Sequence, residues 1–366
     1  MKVKGSVRIN SLPTYKPGKS TDELQRELGF KSAIKLASNE NPLGPSTLVI
    51  EKIKEAASMI HVYPDGDCHA LKKKISFKEE ILPNQIVLGN GSNEVLELIA
   101  HTFLDKDDEA IMGEFCFIVY PIVTQLSEAN IVRVPMKNLA LSLNDVLSSI
   151  TQLTKVIFIA NPNNPTGTYL TKLELIVLRK KLRKNILLVV DDAYAEYMKN
   201  KDYSSGLDLF KNKDNVFILR TFSKMFGLAS LRVGWGYGSK KIVDALNVIK
   251  PPFNVNGIAQ LAAIESLKDK KFINKSVRHN LFYSRKIKKF LEKYNIYSNS
   301  VSANFLLLDF EKCRYSAKFL YEKLKNKGII LRSTEDGYHI KNKLRLTIGS
   351  KKENLKLISE SRGILS

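Results

Sequence analysis

The sequence predicts an α/β protein in which a large domain with a mostly parallel sheet between helices is followed by a smaller α+β domain at the C-terminal end. Two observations predict it. Between about residues 48 and 250 short apolar runs alternate with stretches of helical periodicity, the pattern of βαβ units, and near Pro251-Pro252 this grammar stops. The strand candidates of the first part are residues 85–88, 109–112, 131–134, 156–160, 186–190, 216–220 and 232–237. Beyond them, residues 257–298 read as long, charged amphipathic helices. A strand at 304–310, a helix at 317–327, two strands around 328–332 and 344–348 and a terminal helix follow. Residues 1–47 have no strong periodicity and carry Pro13, Pro17, Pro42 and Pro45, so they read as an arm that crosses the surface and joins the smaller domain. The expected division is therefore 1–47, 48–254 and 255–366.

Composition narrows the class. The 366 residues, 44% hydrophobic and 26% charged, exceed what one simple core needs. No apolar run approaches the roughly 18 residues of a membrane helix. The opening MKVKGSVRINSLPTYKPGKS has no apolar core for a secretion signal, and Cys68, Cys116 and Cys313 form no disulfide or zinc spacing. A soluble cytoplasmic protein with no metal and no membrane partner is expected. The net charge of +21 is spread over lysines at 72–74, 180–184, 286–289 and 323–327, inside amphipathic helical patterns. With no nucleic-acid motif beside them, these predict a solvated surface and not a nucleic-acid partner.

The chemistry centres on residues 221–232, Thr-Phe-Ser-Lys-Met-Phe-Gly-Leu-Ala-Ser-Leu-Arg, where Lys224 is the only charge before Arg232. A lysine among apolar residues ordinarily snorkels to solvent. Desolvated, it becomes a usable amine for Schiff-base chemistry, and Thr221, Ser223 and Arg232 beside it suit a phosphate. A phosphorylated aldehyde, pyridoxal phosphate, fits both halves of that description. The rest of the chain supplies partners at other strand ends. The run at 186–190 leads into Asp191-Asp192-Ala193-Tyr194, which places a carboxylate for a pyridine nitrogen and a phenol for the ring's 3-oxygen. The same pattern could be the magnesium acid of a nucleotide hydrolase, but Gly18-Lys19-Ser20 has Pro13 where the first loop glycine belongs. The run at 156–160 leads into Asn161-Pro162-Asn163-Asn164-Pro165-Thr166-Gly167, a fixed turn from which Asn164 could donate to a phenolate. Gly89-Asn90-Gly91-Ser92-Asn93-Glu94 opens a helix, the arrangement of an anion cradle. Phe117 and Tyr120 follow another strand, where an aromatic could stack on a planar ring, although a place in the core is the commoner outcome.

At these residues the chain resembles the histidinol-phosphate branch of the fold type I, class II PLP-dependent aminotransferases. Leu36-Ala37-Ser38-Asn39-Glu40-Asn41-Pro42, Tyr63-Pro64-Asp65, Gly91-Ser92-Asn93-Glu94, residues 161–167 and 191–194, Ser223-Lys224, Arg232, Pro252-Phe253-Asn254-Val255-Asn256 and Leu344-Arg345 fall in that family's order. The resemblance implies a PLP transferase fold and transamination between L-histidinol phosphate and 2-oxoglutarate. An aromatic amino-acid aminotransferase or a phosphothreonine decarboxylase are the related alternatives. It also implies that Lys224 carries the Schiff base, Asp191 pairs with the ring nitrogen, and Tyr194 and Asn164 hold the 3-oxygen. Phe117 would stack on the ring, and Ser92, Asn93, Thr221, Ser223 and Arg232 would hold the phosphate. Tyr63 would reach the cofactor of a neighbouring subunit, which makes the active site a property of a homodimer. Tyr15, Asn39, Arg332 and Arg345 would face substrate. Two departures from the family pattern stand out, Asp192 in place of glutamate and Glu114-Phe115-Cys116-Phe117 in place of a proline-containing turn.

Overall fold

The computed structural model describes residues 33–366 together with Glu23, Gln25, Arg26 and Gly29. The two-residue strand β1 (Ile34–Lys35) leads into seven strands of one sheet: β2 (Ile86–Asn90), β3 (Glu109–Gly113), β4 (Asn130–Val134), β5 (Thr154–Ala160), β6 (Leu187–Asp191), β7 (Val216–Thr221) and β8 (Val233–Gly238). Their spatial order is β2-β8-β7-β6-β5-β3-β4. β8 runs antiparallel to both of its neighbours, and the remaining pairings are parallel. Alternate residues of these strands feed opposite faces, as a period of two requires. Ile157, Ile159, Leu188, Val190 and Ile218 enter one core, whereas Val156, Phe158, Val189, Phe217 and Leu219 enter the other. Both faces are thus covered by helices, which is why the runs read as continuously apolar.

The chain then forms β9 (Tyr297–Ser298), β10 (Phe305–Asp309), β11 (Ile329–Ile330), β12 (Arg332–Ser333) and β13 (Lys343–Thr347). A four-stranded antiparallel sheet has the order β12-β13-β10-β9, and β11 pairs in parallel with β1. A third core, including Leu306, Leu308, Leu344, Leu346 and Leu357, lies beneath it. Three helices cover this side, Lys270–Leu291, Ala317–Lys325 and Lys351–Leu365. Their starts are fixed by side-chain caps from Asp269, Ser316 and Ser350.

The expected strand near 328–332 divides in two. Ile329–Ile330 pairs with β1, Leu331 turns into the third core, and Arg332–Ser333 pairs with β13, so one short run serves two sheets. The expected helical stretch at 257–298 divides at Asp269 into Gly257–Ser266 and Lys270–Leu291 and ends in β9, whose polar neighbours Asn299 and Ser300 gave no apolar signal. Among the described residues no helix is long and apolar enough to cross a membrane.

Candidate active site

Parallel pairing brings the carboxyl ends of β5, β6 and β7 side by side, Ala160 opposite Asp191 and Asp191 opposite Leu219. Ligands of open α/β sheets bind at such an edge. Asp191 is 6% exposed, with Oδ2 accepting the Tyr120 hydroxyl at 2.8 Å and Oδ1 the Ala193 N–H at 3.1 Å. Burial pushes its carboxyl up to about 6, against the two hydrogen bonds and the Lys224 charge. After β7 the chain turns so that Lys224 Nζ donates to the Ser38 carbonyl at 3.2 Å. Desolvation and then the Arg345 charge bring the Lys224 ammonium down to about 8, with Glu40 opposing. An ammonium lowered toward neutral pH beside a carboxyl raised toward it is a pair suited to moving protons.

The turn after β5 is closed by Asn161, whose amide donates to the Leu170 carbonyl at 3.1 Å and whose oxygen accepts the Leu170 N–H at 2.8 Å. That closure presents Asn164, whose oxygen accepts Arg345 Nη1 at 2.5 Å. The Tyr194 hydroxyl accepts Asn39 Nδ2 at 2.8 Å, and burial raises its ionisation well above the ordinary phenol range.

A second group of residues forms the anion cradle. Gly91 has φ +78°, open to glycine, and a Cβ there would collide with the Arg232 guanidinium. A Cβ on Gly234 would strike the Ser92 backbone nitrogen, so two glycines keep this end of the cleft clear. Arg232 Nη1 donates to the Ala229 carbonyl at 2.9 Å and reaches Ser223 Oγ at 3.4 Å, while Thr221 Oγ1 accepts the Ser223 N–H at 3.1 Å. The helix Ser92–Phe103 starts here with its N–H groups and positive dipole end directed into the cleft. A buried amine, a buried acid and a guanidinium-lined helix start fit the aldehyde, ring nitrogen and phosphate of pyridoxal phosphate.

The opposite wall comes from the small sheet. Arg345, 5% exposed, donates through Nη2 to the Ala37 carbonyl at 2.6 Å, and its Nη1 lies 3.5 Å from the Tyr338 hydroxyl. Arg332 faces Arg345 across the β12–β13 pairing.

Asn39, Ser92, Asn93, Phe117, Asn164, Asp191, Tyr194, Thr221, Ser223, Lys224, Arg232, Arg332 and Arg345 line one cleft. Tyr63 does not join them within the chain: it is 80% exposed and stacks on Phe253 at 4.8 Å in a separate apolar groove. Tyr15 lies outside the described residues. Sequence reasoning missed Ser38 and Tyr338 and gave Tyr120 no role of its own: that ring is in the core beneath the cleft, where its hydroxyl donates to Asp191. Only the spacing of Tyr120, three residues after Phe117, placed it near the site. Asp192 points away from the cleft into a cluster with Arg220, Glu79 and Glu196. Its Oδ2 lies 3.9 Å from Arg220, Oδ1 has no partner among the described residues, and burial pushes its carboxyl up to about 8 against the Arg220 charge.

Comparison with known proteins agrees with this geometry. The family described as aminotransferase class I and II matches residues 31–360. The chain is 54% identical to a histidinol-phosphate aminotransferase of Pelagibacter ubique, over 97% of this chain and 97% of that protein. It is 38% identical to histidinol-phosphate aminotransferase 2 of Haemophilus influenzae, over 98% of this chain and 96% of that one. In fold it is similar to the crystal structure of histidinol-phosphate aminotransferase from Sinorhizobium meliloti in complex with pyridoxal-5'-phosphate, with a TM-score of 0.90 at 22% identity, covering 100% of this chain and 98% of that one. The chain belongs to the class I and II aminotransferases, and within them to the histidinol-phosphate aminotransferases.

Proposed function

We propose that the protein transfers an amino group between L-histidinol phosphate and 2-oxoglutarate, giving imidazole acetol phosphate and L-glutamate, as a step of histidine biosynthesis with pyridoxal phosphate as cofactor. The observation that carries this reading is a lysine and a carboxylate set between an anion cradle and two arginines, in a chain 54% identical to a relative of that name. Bound pyridoxal phosphate supplies an aldehyde that holds the substrate amine and a ring that accepts the electron pair released at Cα. Thr221, Ser223, Arg232 and the start of the helix at Ser92 and Asn93 hold its phosphate. Asp191 would keep a proton on the ring nitrogen, Tyr194 and Asn164 would hold the 3-oxygen, and Phe117 would stack on the ring. Lys224 Nζ would take the proton from the substrate's Cα as base and deliver it as acid to the cofactor carbon that bore the aldehyde, C4′. Arg332 and Arg345, with Asn39, hold substrate. Guanidinium forks accept a phosphate monoester in one half-reaction and a dicarboxylate in the other.

The same reading includes a cytoplasmic homodimer with a shared site, in which Tyr63 of one copy reaches the cofactor phosphate of the other. Its support is the exposed apolar surface around Ile60, Val62, Tyr63 and Phe253. The division into an arm to residue 47, a large domain to 254 and a small domain beyond belongs to it too. Single half-reactions followed by cofactor absorbance test the function. Histidinol phosphate and glutamate are expected to convert the bound cofactor, with phenylalanine much slower. A higher kcat/KM for phenylalanine assigns an aromatic substrate, and release of carbon dioxide without an oxo-acid assigns a decarboxylase.

A further inference from the structure

Asp191 has a partner that the roles above do not use. Tyr120 lies in the first turns of the helix Val119–Leu126, is 1% exposed, and donates its hydroxyl to Asp191 Oδ2 at 2.8 Å. Three contacts fix that phenol. Its ring stacks on Phe158 at 5.0 Å and 11°, meets the edge of Phe117 at 5.7 Å and 85°, and its carbonyl accepts the Thr124 hydroxyl at 2.9 Å. Asp191 lines the cleft and Tyr120 does not, so the carboxylate spans the boundary between site and core with one oxygen held from within the core.

The chemistry of the acid gives this contact a purpose. A carboxyl group that keeps a proton on a ring nitrogen has to be the charged acceptor, and at 6% exposure that charge is costly. A donor to the carboxylate lowers the cost, but a cationic donor would compete with the ring nitrogen for the same negative charge. A neutral hydroxyl stabilises the carboxylate and leaves its charge for the ring. Burial and the Asp191 charge hold the Tyr120 phenol well above its ordinary range, so it remains a donor wherever the enzyme works. The Ala193 N–H on Oδ1 fixes the carboxylate plane from the other oxygen.

We propose that Tyr120 is a positioning residue that holds Asp191 as an oriented carboxylate for the cofactor's ring nitrogen. The proposal rests on the reading of Asp191 as the ring partner, and the two are tested separately. Tyr120→Phe keeps the ring stacked on Phe158 and removes only the hydroxyl. The probes are pyridoxal phosphate and its carbocyclic analogue, in which C–H replaces the ring nitrogen, each titrated into the apoprotein. For Tyr120→Phe, affinity for pyridoxal phosphate is expected to fall about tenfold and affinity for the analogue to change less than about twofold, the size of one hydrogen bond to a charged group. In the holoenzyme kcat should fall about tenfold with KM for histidinol phosphate nearly constant. Asp191→Asn is the reference: it should erase the preference for pyridoxal phosphate over the analogue. If Asp191→Asn leaves that preference intact, the ring-partner reading fails. If Asp191→Asn erases it while Tyr120→Phe weakens both ligands equally or neither, the Tyr120 proposal is overturned and the reading of Asp191 stands.

Discussion

The two walls of the cleft are built differently. The cofactor wall consists of the ends of β5, β6 and β7 in the middle of the large sheet, where Asp191 and Lys224 are desolvated and each is held by a main-chain or core partner. The substrate wall is carried by the short strands β12 and β13 and by residues 36–41, which join the small sheet through hydrogen bonds of Leu36 and Asn39 to Thr347 of β13. There Arg345 is held by neutral oxygens of Asn164 and Ala37, contacts that an anion can outcompete. The contrast teaches that the reaction is set by rigid strand ends, whereas the choice of substrate is set by guanidinium groups whose resting partners are exchangeable.

The largest test of that contrast is Lys224→Ala. Cofactor affinity should survive through the phosphate cradle, while transamination falls by about three orders of magnitude or more in steady-state assays. Retained turnover would place the chemistry elsewhere. Next is Arg220→Met, directed at the support of the cofactor wall. It strips the counter-charge from Asp192, Glu196 and Glu79, and stability measured by urea unfolding should fall by about 3–5 kcal/mol. On the substrate wall, Arg345→Ala should lower kcat/KM for histidinol phosphate by about 100-fold, as loss of a paired charge contact predicts, with cofactor affinity nearly unchanged. Arg332→Ala should raise KM by about tenfold with kcat held.

A further test is a pH dependence confined to the cofactor wall. Because Lys224 titrates near 8 in the folded ligand-free chain and at 10.5 in the unfolded one, the unfolded chain binds more protons between these values. Stability should therefore rise with pH across that window, and Lys224→Met should abolish the rise in thermal unfolding scans. Asp191 acts in the opposite sense, because its carboxyl is raised from 3.8 to about 6. Its contribution is present below about pH 4 and lost as pH rises through 6, and Asp191→Asn should flatten that fall.

Much of the cofactor wall was legible because each of its strands is an apolar run that stops at a polar residue, as at Ala160-Asn161 and Val190-Asp191. Periodicity locates such a stop to within a residue or two. The supports behind the wall were not legible. Tyr120 has the spacing of an ordinary core aromatic, and only the tertiary fold, which stacks its ring on Phe158 of β5, reveals its hydroxyl on Asp191. Arg220 sits inside the run at 216–221, where nothing in the sequence announces that Glu79, Asp192 and Glu196 converge on it from two other segments. On the substrate wall both arginines were found, but Tyr338 was not, since its approach to Arg345 depends on the irregular turn at Asp336 and Gly337. The split of 328–333 between two sheets was hidden for the same reason: strand partners 295 residues apart leave no local trace.

Residues 36–41 have a consequence for how the enzyme comes into being. Ser38 receives Lys224, Asn39 binds Tyr194 and Thr347, Asn41 binds the Met225 carbonyl, and Ala37 receives Arg345. The segment is among the first parts of the described chain to be synthesised, and its partners β11 and β13 are among the last. During translation the seven-stranded sheet, with Asp191, Lys224 and the anion cradle, can therefore be in place while the substrate wall does not yet exist. Every group of the cofactor wall thus lies in the chain before residue 233, whereas the substrate wall needs both ends of the described chain.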